Sequence, residues 1–434
     1  MNLTVAHISS RNYSSKQIQT ALYAALIAFL TYASVYAYRK PFSVATFGDL
    51  QYWGVRYQTL LIIAQVIGYM LSKFYGIKFI SELKRLGRWK TSAVLIGIAW
   101  MSLLLFAIVP PLLGLLCFLV NGFVLGFMWG IVFSYVEGRR ATDFIGSAMA
   151  VSFIFAGGFT RSVAKWLLME WHVTERWMPF FTGLIFALPL AVFIYLLEKI
   201  PAPDAADVEE RTQRVSMTAE DRKKILQSFG AGLIMIVVTY IFLTIIRDLR
   251  DNFMANIWND LGYGNNYKIF ASTETITSVI VLVMMSLLVL IRKNIKAFRF
   301  IHLVILLGFL LSGISSLLFI YDVMDGAWWM QLVGLGLYMA YIPFNCIFFE
   351  RMIAAFRING NVGFLIYIAD AFGYLGSVVV MLSKEIFHLQ TNWSSFYSGA
   401  ALFCAAVGVA GTFFSLSYFN KKYSNSKSSY FYEQ

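Results

Sequence analysis

Residues 18 to 40 read IQTALYAALIAFLTYASVYAYRK, and the fold is decided here. Residues 18 to 38 carry no charge. An α-helix of roughly 20 apolar residues crosses a bilayer core about 30 Å thick, so this stretch is long enough to span a membrane. Arg11 and Lys16 precede it, as in a secretory signal, but it is too long for one. Arg39-Lys40-Pro41-Phe42 stands where a cleavage site of small residues is required, so the segment reads as a retained span. Its polar residues are ordered. Tyr32, Tyr36 and Arg39 follow at i, i+4 and i+7, which puts two phenols and a guanidinium on one helix face. Two readings of that face stand: an aromatic belt with a cation snorkelling to the interface, or the lining of a polar path through the protein.

The same apolar signal recurs along the chain. Spans are expected near residues 18 to 38, 57 to 77, 89 to 109, 112 to 136, 144 to 168 and 178 to 197. A second set follows near 226 to 247, 268 to 291, 299 to 321, 328 to 350, 362 to 383 and 396 to 419. With 59% hydrophobic and 13% charged residues, the chain excludes a water-soluble fold. The net charge of +12 does not point to nucleic acid, because Lys and Arg gather in short segments between spans. Of 35 basic residues, 25 lie on the side that holds both termini and the central linker, which is the cytoplasmic side by the positive-inside rule.

The expected organisation is an all-α membrane protein: a cytoplasmic segment (1–17), a six-helix bundle (18–197), a polar cytoplasmic linker (198–225), a second six-helix bundle (226–419) and a cytoplasmic tail (420–434). The halves read as repeats. Arg39 closes the first span as Arg247 closes the seventh, and Glu137 closes the fourth as Glu350 closes the tenth, at nearly equal separations. Parallel repeats of this kind place a substrate site at their interface near the midplane.

A charge at the centre of a membrane helix costs roughly 2.5 to 3.5 kcal/mol on insertion scales, so each one needs a partner or an aqueous cavity. Tyr69 and Lys73 repeat the i, i+4 arrangement on the second span, and Arg247 occupies the position equivalent to Arg39. Two guanidiniums from opposite halves suit a phosphate or carboxylate, because each offers a planar fork of donors and stays protonated. Asp251 and Glu274 are expected to pair with Lys40, whereas Asp248 and Arg250 read as a solvated external loop. In the fifth span Arg161 is a candidate to reach the cavity. In the eleventh, Asp370 is a candidate proton or sodium site, or the counter-ion of Arg161. Cys117, Cys346 and Cys404 fall inside spans, and the four histidines form no metal-like pair, so neither a metal site nor an enzyme is expected and no cofactor is implied.

At these residues the sequence resembles the organophosphate:phosphate antiporters of the major facilitator superfamily, the glycerol-3-phosphate and hexose-phosphate transporters. The matching motifs are Tyr32, Tyr36 and Arg39-Lys40 in the first helix, Tyr69 and Ser72-Lys73-Phe74 in the second, and Arg247 with Asp251-Asn252-Phe253 in the seventh. Asn121, Gly122, Gly126 and Trp129 match in the fourth helix, Glu274 in the eighth and Gly373-Tyr374-Leu375-Gly376-Ser377 in the eleventh. The resemblance implies that Arg39 and Arg247 bind a phosphoryl group. It places Lys73, the tyrosines and Trp129 around the pocket, and makes Lys40, Asp251 and Glu274 a gating network.

It implies a monomer in the inner membrane that exchanges a small anionic substrate for inorganic phosphate by alternating access. The chain departs from the family at the fifth helix, where Phe153-Ile154-Phe155-Ala156-Gly157-Gly158 lacks the family's histidine. Two other functions fit the same residues: a proton- or sodium-coupled symporter of a sugar or carboxylate, and a transporter-like membrane sensor.

Overall fold

The computed structural model describes residues 15–82, 87–139, 141–203, 207, 219–356, 362–386 and 392–432. The N-terminal residues 1–14, most of the expected linker and the basic loop around Lys84 and Arg85 lie outside the described residues. Among the described residues, ten helices are long and apolar enough to cross a membrane. In the first half they are span 1 (Ser15–Tyr38), span 3 (Arg88–Ile108), span 4 (Pro111–Ser134), span 5 (Thr142–Met169) and span 6 (Met178–Glu198). In the second half they are span 7 (Gln227–Asp260), span 8 (Lys268–Val289), span 9 (Asn294–Ile320), span 10 (Gly326–Phe356) and span 12 (Trp393–Asn425). Helices Tyr57–Glu82 and Val362–Ile386, of 26 and 25 residues, are spans 2 and 11 and complete the set of twelve.

Span 3 shows how the chain meets lipid. Val94, Ile98, Met101, Leu105 and Ile108 are exposed along one stripe, while Leu95, Ala99, Leu103 and Phe106 are buried along another. Both stripes are apolar, so the exposed one is solvated by acyl chains rather than water. Helix starts follow local chemistry: prolines stand at the first positions of spans 4 and 6, and the Asp325 carboxylate accepts the Ala327 N–H at 2.8 Å to cap span 10. Pro343 cannot donate to the helical ladder, and span 10 widens immediately after it into a π-turn over Phe344–Phe348.

Spans 1 to 6 pack among themselves, as do spans 7 to 12. The two groups meet chiefly where span 5 lies along span 8 and span 2 along span 11. An axis along the membrane normal that exchanges the halves maps one of these contacts onto the other, as parallel repeats require. The termini of span 1 and span 6 are tied at one end, the linker end, where the Tyr23 hydroxyl donates to the Leu196 carbonyl at 3.0 Å. The segment between spans 1 and 2, residues 39 to 56, therefore runs outward to the far end, where Arg56 meets Glu385 at the close of span 11.

Span 7 differs from its expected extent. The helix runs on to Asp260, so Asp248 and Arg250 are buried inside it rather than forming a solvated loop. Ion pairing, of Asp248 with Arg247 on the same helix and of Arg250 with Glu274 on span 8, replaces the water that these charges would otherwise need.

Gly158 makes the span 5 to span 8 approach possible. A Cβ at this position would collide with the Phe270 carbonyl and the Glu274 side chain. Gly158→Val is therefore expected to cost about 1 to 3 kcal/mol by overpacking. The midpoint of thermal unfolding in detergent should fall by several degrees, and an unchanged midpoint would contradict the contact.

Candidate functional site

Arg39 follows a short 3-10 turn, Tyr36–Tyr38, that ends span 1. The turn rotates the guanidinium away from the lipid side and over the ring of Tyr69, 4.1 Å from its centroid, with the Tyr36 ring at 5.7 Å. Among the described residues no carboxylate pairs with Arg39, and its Nε is buried without an acceptor. Its backbone carbonyl is fixed by the Gln65 side chain at 2.9 Å, and Gln65 is held in turn by Asn121 at 2.9 Å. The rest of this wall is aromatic. Tyr32 stands edge-on to Tyr36 and to Trp129, with centroids 5.6 and 5.0 Å apart, and the Lys73 ammonium lies 4.8 Å from the Tyr69 ring.

The second half presents a counterpart. Arg247 lies 4.6 Å from the ring of Tyr341 and 5.6 Å from that of Tyr374. Tyr374 meets Tyr69 edge to face at 5.7 Å, so one aromatic pair bridges the halves between the two arginines. Tyr69 is twelve residues into span 2 and Tyr374 twelve before the end of span 11, which places both roughly 18 Å below the far end, near mid-bilayer. Unlike Arg39, Arg247 is paired, with Asp248 at 2.6 Å. Deeper on the same side, the Tyr240 hydroxyl donates to Asp370 at 2.5 Å and lies 3.3 Å from both the Tyr341 hydroxyl and Asn345 Oδ1.

Above this site, toward the far end, polar side chains join the halves in layers. Lys40 bonds Asp251 at 2.5 Å and Asn252 at 2.8 Å. Arg161 reaches the same Asp251 carboxylate at 2.6 Å and its backbone carbonyl, while also donating to Ser43 Oγ at 3.0 Å and the Gly157 carbonyl at 2.8 Å. Its side chain is 1% exposed. Farther out, Gln58 contacts Asn256 at 3.3 Å, and Glu385 accepts from Arg56 at 2.7 Å and Thr59 at 2.9 Å. Apart from the Arg161 bonds to Ser43 and Gly157, each of these bonds crosses from one half to the other.

Thus the structure brings Arg39, Tyr32, Tyr36, Tyr69, Lys73, Trp129 and Arg247 to one interface. Arg161 does not open onto that site; it is consumed by the Asp251 contact, so Asp370 is not its counter-ion. Glu274 does not pair with Lys40 either. It bonds Arg250 at 2.7 Å, with both side chains at most 1% exposed, and this pair lies wholly within the second half. The reason is geometric: Arg250 and Asp251 stand side by side on span 7, so one faces span 8 and the other faces the opposite half.

Reading the sequence missed Tyr240, Tyr341 and Tyr374 on the second wall, and Gln58, Asn256, Arg56 and Glu385 in the outer layers. The i, i+3, i+4 spacing of Arg247, Arg250 and Asp251 is the signal that span 7 continues past Arg247.

A family model matches residues 41–422 of the chain. The chain belongs to DUF5690, a family of unknown function. Comparison of this DUF5690 member with curated proteins gives no match. Among solved structures it is similar to the nucleoside transporter NupG, with a TM-score of 0.59 and 16% identity over 92% of this chain and 99% of that one. A D-xylose-proton symporter matches with a TM-score of 0.59 and 14% identity, over 92% of this chain and 97% of that one. A bacterial homologue of the human lysosomal transporter Spinster, in an inward-facing and unoccupied conformation, matches with a TM-score of 0.58 and 11% identity, over 93% and 97%. At these identities the likeness shows the fold of this chain alone, an all-α membrane fold of the major facilitator type.

Proposed function

We propose that the protein is a secondary transporter that moves a small anionic metabolite by alternating access, in exchange for inorganic phosphate. One observation carries this reading: Arg39, a guanidinium near mid-bilayer with no carboxylate partner among the described residues, faces Arg247 across the junction of the halves. A charge in that position needs a counter-ion, and a substrate oxyanion supplies one. Phosphate monoesters fit best because their oxygens accept two forked donors at once. The tyrosine faces and Trp129 suit a ring or carbon skeleton carried with the anionic group.

The Lys40–Asp251–Arg161 cluster and the layers outside it serve as the gate that seals the site from the far end. Binding on the linker side, loss of these bonds and separation at the far end would complete a cycle. The structural neighbours described above, a nucleoside transporter, a D-xylose-proton symporter and a homologue of the transporter Spinster, support this class. The distribution of basic residues favours both termini and the linker in the cytoplasm.

Counterflow in proteoliposomes tests the exchange. Vesicles loaded with phosphate are expected to accumulate labelled phosphate and glycerol 3-phosphate above the level of protein-free vesicles. Equal accumulation in the two would contradict phosphate exchange.

A further inference from the structure

Asp248 is buried in span 7, one residue beyond Arg247 and against the proposed anion site. Its Oδ1 accepts from the Arg247 guanidinium at 2.6 Å. Its Oδ2 is buried and has no hydrogen-bond donor among the described residues, and the Nε of Arg247 likewise has no acceptor. The side chain is 7% exposed. Asp248 therefore rests on a single donor, and the proposed function assigns that guanidinium, with Arg39, to the substrate.

The surrounding charges make that donor decisive. On its own helix Asp248 faces Arg247. Span 11 brings Asp370 within electrostatic range, a like charge that disfavours a second carboxylate nearby. Span 2 contributes Lys73, which acts on Asp370, and span 10 contributes Tyr341, a neutral ring against Arg247. Asp370 keeps its own donor, the Tyr240 hydroxyl, whatever happens at Arg247. Asp248 has no such reserve.

Resting on the anion-transport reading, we infer that Asp248 is an internal counter-ion that exchanges places with the substrate and couples its movement to a proton. In the empty site the Asp248 carboxylate neutralises Arg247. An entering oxyanion takes the Arg247 N–H donors, and the N–H to Oδ1 bond to Asp248 is lost. The carboxylate, left buried beside Asp370, takes a proton from the aqueous side, forming one O–H bond and becoming neutral. The substrate's charge enters and one positive charge enters with it. Release reverses both events: the proton returns to water on the other side and Asp248 re-forms its bond to Arg247. The site thus binds anion plus proton, which makes net uptake responsive to a pH gradient even though exchange of anion for anion is not.

The test is net uptake of labelled inorganic phosphate into phosphate-free proteoliposomes, with and without an acidic exterior, read as the ratio of the two rates. Wild type is expected to give a ratio several-fold above one, Asp248→Asn a ratio near one, and Asp248→Glu, which keeps a titratable group, a ratio above one again. The change in phosphate's own ionisation acts on all three proteins alike, and the ratio removes differences in intrinsic rate. Measurable exchange in wild type with no net uptake, or with net uptake at a ratio near one, overturns the coupling while leaving anion transport in place. An Asp248→Asn ratio equal to wild type overturns it too, as does inactivity of both variants, which would mark Asp248 as purely structural. Absence of any phosphate movement in wild type overturns the anion reading and this inference with it.

Discussion

Arg39→Lys is expected to abolish most transport although it preserves the charge. Arg39 presents its fork at the interface of the halves, over the faces of Tyr36 and Tyr69. Lysine replaces a rigid planar fork with a point charge that bonds oxyanions one donor at a time and stacks less well on a ring. A charge-assisted hydrogen bond contributes about 1.5 to 3 kcal/mol, so affinity should fall on the order of 10- to 100-fold. Counterflow rates at sub-saturating phosphate report this directly, and rates equal to wild type would remove Arg39 from the site. Arg247→Lys is expected to follow with a smaller loss, because Asp248 already competes for that guanidinium.

Asp251→Asn is expected to open the far end. One carboxylate serves both Lys40 and Arg161, which come from different segments of the first half, so it is the single acid holding two buried cations. Removing one partner of a buried pair costs roughly 3 to 5 kcal/mol because the other charge stays desolvated. In this protein the cost falls only on the state in which the halves touch at the far end, since separation returns Lys40 and Arg161 to water. The ratio of closed to open forms should therefore drop on the order of 100- to 1,000-fold.

Spin labels on cysteines at Trp53 and Asn392 would measure this in a background without the native cysteines. Both positions are exposed at the far end, one in each half. The distance between them should lengthen in Asp251→Asn, with transport lost. An unchanged distance distribution would contradict the gate.

Most of the fold was legible in the sequence because each span is a long uncharged run, and length against bilayer thickness is a strong physical test. The exception is instructive. Span 7 was expected to stop at Arg247 because Asp248, Arg250 and Asp251 are too polar for lipid. The helix continues because Asp248 pairs with the adjacent Arg247, while Glu274 for Arg250 and Lys40 with Arg161 for Asp251 supply counter-charges from elsewhere in the chain. A hydropathy reading cannot register partners that arrive from a distance.

The candidate site was legible to the same degree. The first wall, Tyr32, Tyr36 and Arg39, lies on one helix and shows as a spacing. The second wall draws Tyr341 and Tyr374 from spans 10 and 11, where neither carries a spacing signal relative to Arg247; Tyr240 does, standing seven residues before Arg247 as Tyr32 stands before Arg39. The partners of Glu274 and Arg161 were assigned by plausible charge matching and differ for the same reason: adjacent residues on span 7 point to different neighbours.

The most direct test of the central claim is ligand-induced stabilisation of the purified protein. A ligand that binds the folded state raises the unfolding midpoint in proportion to its occupancy. Inorganic phosphate and glycerol 3-phosphate are expected to raise the midpoint of the wild-type protein, with xylose and uridine giving no shift, and Arg39→Ala is expected to lose the response to both anions. Stabilisation by the neutral sugar or nucleoside with none by the anions, or a response to phosphate that survives in Arg39→Ala, would contradict an anion site built on the paired arginines.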